Sequence, residues 1–489
     1  MALLKVKTKY GTVVGIPGDC NNAIFKSIPF AKPPVGELRF MPPVEPEPWE
    51  GELICDHFTN ACIQFFRKAS LKGAPDRRKM AVQPADAPPP ESEDCLQLNI
   101  WTPAQSADEK LPVMFFIHGG GFNQSYSFMR QYEGNNINRR GVILVTTNHR
   151  SGAMGYMTHP ELDKRDPRGV SGNYGLLDQI AALRWVNENI AAFGGDPDNI
   201  TIFGQSSGGM STKFHLCTPL SKGLFRRAII HSGGGLNGGD PTRPRAELQE
   251  LTQKALNHLG WTVEDLLTRD AKEITELMSE TAILYAAEND LFIYQPCVDG
   301  YVFKDIPEQA IVDGELNAED IICGTVIGDS WMFSRKVRHQ LLDNPDALRA
   351  FAYSPGVSFG RWQNRMGRTP IRSYLLERDQ GQDRGMPHGA DLAYVFQSLD
   401  IRNNPDTRTE YDYYMADTLN RYWTNFAKTG DPNGEGLPEW PLFTEDNPVS
   451  MHCTDTYIRA ENLVDNAEGD RVIEYTIAHP GMLESLEGF

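Results

Sequence analysis

The chain has 489 residues, of which 40% are hydrophobic, 10% aromatic and 23% charged, a balance that supports a large buried core and excludes disorder, collagen and coiled coil. Its 47 Lys and Arg against 65 Asp and Glu give a net charge of −18, which excludes nucleic acid as a partner because phosphate binding needs a basic footprint. Length alone predicts about three domains, though large single α/β domains exceed that rule.

Near the N-terminus Lys5, Lys7 and Lys9 interrupt the apolar stretch that a secretory signal requires, so a cytoplasmic protein is expected. The longest strongly apolar run, 113–117, is too short to span a bilayer, and no membrane insertion is expected. Residues 84–93 read as a surface loop. From there onward, apolar runs at 113–117, 142–147, 200–203, 228–231, 321–325 and 371–376 alternate with helix-length segments. One such segment, 176–193, carries Leu176, Ile180, Leu183 and Ile190 near one face and ends at Gly194-Gly195. Alternating strand and helix predicts an α/β protein with a mostly parallel central sheet flanked by helices, its active site at the strand C-terminal ends. The eight cysteines show neither a paired spacing nor a metal-ligand pattern.

Two segments follow predicted strands and carry chemistry. After 200–203 comes Gly204-Gln205-Ser206-Ser207-Gly208, in which small residues two before and two after Ser206 permit a very tight strand-to-helix turn. The short helix predicted over 210–216 would favour negative charge at that serine. After 113–117 stands His118-Gly119-Gly120-Gly121-Phe122, whose glycines leave backbone N–H groups free to face a developing oxyanion. A second G-x-S-x-G, Gly356 to Gly360, follows Ser354-Pro355 and no apolar strand, and is read as a loop.

With these segments in place the chain resembles the type-B carboxylesterases, the carboxylesterase and cholinesterase branch of the α/β-hydrolases. Further matching stretches are 25–31, 33–40, 93–100, 148–150, 194–197, 422–427 and 429–433, so the likeness runs almost end to end. The resemblance implies a single α/β-hydrolase domain over 1–489, with helical excursions forming a cap beside an active-site gorge. It implies Ser206 as nucleophile, with the amides of Gly120, Gly121 and Ser207 as the oxyanion hole. Gln205 and Ser207 stand where the family usually has Glu and Ala.

His388, in Met386-Pro387-His388-Gly389-Ala390-Asp391, resembles the family's histidine segment and supplies the base on a loop after a late strand. Asp329, in Gly324-Thr325-Val326-Ile327-Gly328-Asp329-Ser330-Trp331, falls at the family's acid position, usually Glu, one methylene longer. Asp299 and Asp391 compete for that role. Only 59 residues separate Asp329 from His388, which implies a trimmed excursion and a more open pocket. Phe122 and Trp331 are candidate substrate contacts.

The expected activity is hydrolysis of small-molecule carboxylic esters through an acyl-enzyme, with no metal or organic cofactor. No Trp lies between Cys62 and Cys95, the pair that would bracket a gorge loop in the family, so a cation–π choline site is not expected. Arg67, Lys68, Lys72, Arg77, Arg78 and Lys79 cluster there against Asp76, either as a solvated loop or as an attractor of anionic esters. Two other readings are a non-catalytic adhesion relative, which would have lost the serine, and a lipase, which would carry a long apolar lid. A monomer or small homo-oligomer is expected.

Overall fold

A computed structural model describes residues 2–65, 89–236, 242–286, 294–331, 344–378, 385–400 and 408–481. Its frame is an 11-stranded sheet. In chain order the strands are β1 Ile16–Pro17, β2 Ala23–Pro29, β3 Gln97–Thr102, β4 Leu111–Ile117, β5 Ile143–Thr147, β6 Gly195–Gln205, β7 Arg227–His231, β8 Asp320–Val326, β9 Arg372–Leu376, β10 Ser450–Cys453 and β11 Ile458–Glu461. Across the sheet they run β11-β10-β9-β8-β7-β6-β4-β5-β3-β2-β1. From β10 to β5 every pairing is parallel, while β1–β2, β2–β3, β3–β5 and β10–β11 are antiparallel.

The helices that matter for the site are α1 Tyr174–Asn189, α2 Ser207–Cys217, α3 Pro307–Asp313, α4 Pro345–Arg365, α5 Asp391–Val395, α6 Glu410–Thr429 and α7 Ala467–Ala478. They cover both faces of the sheet. Val113, Phe115 and Ile117 enter one buried cluster with Leu183 of α1, Phe351 of α4 and Ile473 of α7. Met114 and Phe116 enter the opposite one with Leu392 of α5 and with Leu419 and Phe426 of α6. Burial on two faces is why β4 is a continuous apolar run instead of an alternating one.

All six apolar runs read from the sequence become parallel strands, within a few residues at each end. The second G-x-S-x-G corrects the sequence reading: Gly356 to Gly360 lies within α4, with Pro355 inside the helix. Tertiary packing prevails there over the turn chemistry of Ser354-Pro355. A Cβ on Gly356 would sit 2.6 Å from the Cys323 carbonyl oxygen and 2.9 Å from Ser373 Cβ, so the helix lies almost on the sheet. Gly356→Ala is therefore expected to lower the thermal midpoint, at a cost of about 1–3 kcal/mol, although helix propensity alone favours Ala by about 1 kcal/mol.

The cationic run at 67–79 and residues 84–88 of the predicted 84–93 loop lie outside the described residues. No described helix is long and apolar enough to cross a membrane.

Candidate active site

β6 ends at Gln205, and the chain turns into α2 through Ser206 at φ 60°, ψ −129°, a conformation L-residues rarely adopt. The flanking glycines make the turn possible. A Cβ at Gly204 would lie 2.3 Å from the Gly208 carbonyl oxygen, and one at Gly208 would lie 2.1 Å from that of Ile117. The Ser206 N–H donates to the His231 carbonyl at 3.0 Å, and the Ser206 carbonyl accepts the first helical bond from Met210 N–H at 2.8 Å. Ser207 is then the first residue of α2, where backbone N–H groups have no partner within the helix.

The glycine turn after β4 lies against this elbow. A Cβ at Gly119 would come within 3.0 Å of Ser206 Cβ. Gly120 at φ +112° and Gly121 at φ +64° turn their carbonyls inward. The Gly120 carbonyl accepts from Asn123 and Gln124 N–H at 3.3 and 3.2 Å, and the Gly121 carbonyl accepts from Asn123 Nδ2 at 2.7 Å. Phe122 follows, only 3% exposed, edge-on to Tyr156 at 5.4 Å.

Asp329 and His388 meet beyond β8 and β9. Asp329 sits in a short 3-10 helix, Ile327–Trp331, and its Oδ1 lies 2.6 Å from His388 Nδ1. Its Oδ2 accepts from Val326 N–H at 3.2 Å. An aspartate reaches because Gly328 lets the two loops approach: its N–H donates to the Met386 carbonyl at 3.0 Å, and a Cβ there would lie 2.3 Å from that oxygen. The glycine just before the acid thus offsets the shorter side chain. His388 Nε2 faces the carboxamide of Gln205, at 3.2 Å from its Nε2.

The rival acids are engaged elsewhere. Asp299 accepts from Asn173 Nδ2 and from the amides of Tyr301, Val302 and Phe303 at 2.7 to 3.2 Å. Asp391 Oδ2 lies 2.7 Å from His231 Nδ1, and His231 Nε2 accepts from Trp423 Nε1–H at 2.8 Å. Cys62 and Cys95 are buried together, with their Sγ atoms 2.7 Å apart. No group of three or more His, Cys, Asp or Glu among the described residues is arranged to hold a metal ion.

Three buried histidines surround the oxyanion turn and α2 and escape a motif-based reading of their contacts. The ring of His118, whose Nδ1 lies 2.9 Å from the Gly119 carbonyl oxygen, stacks on His149 at 4.3 Å. His215 spans Ser221 Oγ and Gln179 Oε1. Burial pulls His118 down to about 4 and His215 to about 3. Burial, then the neighbouring histidines, hold His149 well below its usual range. Because the folded values are depressed, the unfolded chain takes up protons first. Stability is intact above the ordinary histidine value of about 6.5 and declines as pH falls toward 4, with His118 alone costing about 3 kcal/mol. Thermal midpoints measured between pH 7 and 4.5 should fall steadily, and His118→Asn should flatten that fall.

The architecture is that of the α/β-hydrolases. A profile of the carboxylesterase family matches residues 3–354 and 349–468, and the chain belongs to that family. It is 31% identical over 484 residues to a fumonisin B1 esterase of Sphingopyxis macrogoltabida, covering 89% of this chain and 84% of that one. It is also 31% identical to the para-nitrobenzyl esterase of Bacillus subtilis (strain 168), covering 94% and 96%. A solved PNB esterase superposes with a TM-score of 0.81 at 28% identity, covering 96% of this chain and 99% of that one. A Geobacillus stearothermophilus carboxylesterase superposes with a TM-score of 0.75 at 27% identity and the same coverage. The protein is a carboxylic ester hydrolase.

Proposed function

We propose that Ser206, His388 and Asp329 carry out ester hydrolysis as a catalytic triad, in one domain spanning the chain. The observation that carries this reading is the 2.6 Å contact between His388 Nδ1 and Asp329 Oδ1, with the same ring reached by Gln205, the residue before a serine held at positive φ. With Nδ1–H donated to Asp329, the ring's Nε2 keeps its lone pair and can take the Ser206 proton as Oγ attacks the ester carbonyl. The amides of Gly120, Gly121 and Ser207 stabilise the oxyanion, and His388 returns the proton to the leaving alcohol. Water repeats the sequence on the acyl-enzyme. Phe122 and Trp331 are proposed as substrate contacts from their positions next to the oxyanion turn and the acid. A cytoplasmic monomer or small homo-oligomer remains the reading of the sequence.

A shared acyl-enzyme has a kinetic signature. Phenyl, p-nitrophenyl and p-nitrobenzyl esters of one acid, hydrolysed in dilute methanol, should give one ratio of methyl ester to free acid. A ratio that changes with the leaving group would contradict the two-step reading.

A further inference from the structure

The side chain of Gln205 reaches both halves of the site. It is 6% exposed, and its carboxamide lies between Gly119, which precedes the oxyanion glycines, and the loop that carries the histidine. A Cβ on Gly119 would stand 3.4 Å from Gln205 Oε1, and one on Gly389 would stand 3.2 Å from the same oxygen. Its Nε2 is 3.2 Å from His388 Nε2. Since Asp329 holds the proton at Nδ1, His388 Nε2 is an acceptor, and the amide end of Gln205 donates to it. That lone pair is the one that must receive the serine proton.

We propose that Gln205 is a positioning residue for His388, whose carboxamide reverses with the protonation state of the base. This rests on His388 being the base. The amide N–H steers the neutral ring toward Ser206 and yields the lone pair when Oγ attacks. Once Nε2 carries the proton, a half-turn of the carboxamide presents Oε1 as an acceptor, and the ring keeps its direction while the leaving alcohol is protonated. A carboxylate at this position could only accept, and it would hold the proton on the ring. Among the described residues, few charged or titratable groups face His388. Asp329 faces it from the acid turn, Gln205 reaches it from the elbow, and Asp391 at the start of α5 is turned away onto His231.

The test is the pH dependence of kcat/KM in Gln205→Glu and Gln205→Met, with thermal midpoints taken alongside. Gln205→Glu should move the acid limb upward by about one pH unit or more, the effect of an opposite charge within hydrogen-bonding reach. Gln205→Met, similar in length and unable to hydrogen-bond, should leave KM in place and lower kcat about tenfold through a loosened ring. An acid limb that does not move in Gln205→Glu overturns the proposal. If that variant does not fold, Gln205→Met with kcat within about twofold of the parent overturns it instead. Failure of the base assignment reads differently, as His388→Ala retaining the parent kcat/KM.

Discussion

Alanine at Ser206 or at His388 is expected to lower kcat/KM for a p-nitrophenyl ester by at least about 10³-fold, and the double variant should lose little more than either single one. The non-additivity is the informative part. Serine and histidine act as one unit, so removing either leaves only substrate binding and the oxyanion amides. Asp329→Asn should cost about 10²–10⁴-fold, because a carboxamide cannot stabilise the imidazolium that forms at His388. Asp329→Glu restores the acid that the family usually carries, yet it should still lose about 10–100-fold. The contact of Gly328 with the Met386 carbonyl sets the gap to the histidine loop at an aspartate's length. Steady-state kinetics on the five variants, with circular dichroism to establish folding, separates these outcomes.

Lys213→Met is expected to be the most destabilising single change outside the reacting groups. Lys213 lies on α2, the helix that begins at the nucleophile turn, and pairs with Glu308 of α3. Their side chains are 1% and 2% exposed, and Glu308 Oε2 has no hydrogen-bond partner among the described residues. Removing the lysine strands a buried carboxylate, at about 3–5 kcal/mol, whereas replacing a whole buried pair by apolar groups of similar volume is often neutral or stabilising. The thermal midpoint should therefore fall sharply in Lys213→Met and recover in Lys213→Met/Glu308→Leu. Equal loss in both would mean that the site tolerates no apolar packing at all.

Much of the site is legible in the sequence because its geometry is enforced locally. A serine at positive φ between a strand and a helix needs glycines at fixed offsets, and a run of amides facing an oxyanion needs glycines without side chains. Those requirements leave a mark in a few consecutive residues. The acid does not. Only the resemblance points to Asp329 ahead of Asp299 and Asp391 until the fold brings it to His388, and the role of Gly328 in that approach is a matter of two loops meeting. The contact of Gln205 with His388 joins residues 183 apart in the chain. The reading of 356–360 as a loop fails for a related reason: Gly356 and Gly360 are spacing for α4 against Cys323, Ser373 and Phe443, which local turn rules do not see. The antiparallel strands β1 to β3 and β11 flank the parallel core and carry no alternation with helices that would announce them.

Peptide mapping after treatment with a fluorophosphonate tests the central claim most directly, because the reagent marks an activated serine irrespective of substrate. A single phosphonyl adduct on the peptide containing Ser206, formed in step with loss of esterase activity and absent from Ser206→Ala and His388→Ala, is the predicted result. An adduct on any other residue, or undiminished labelling in Ser206→Ala, would contradict it.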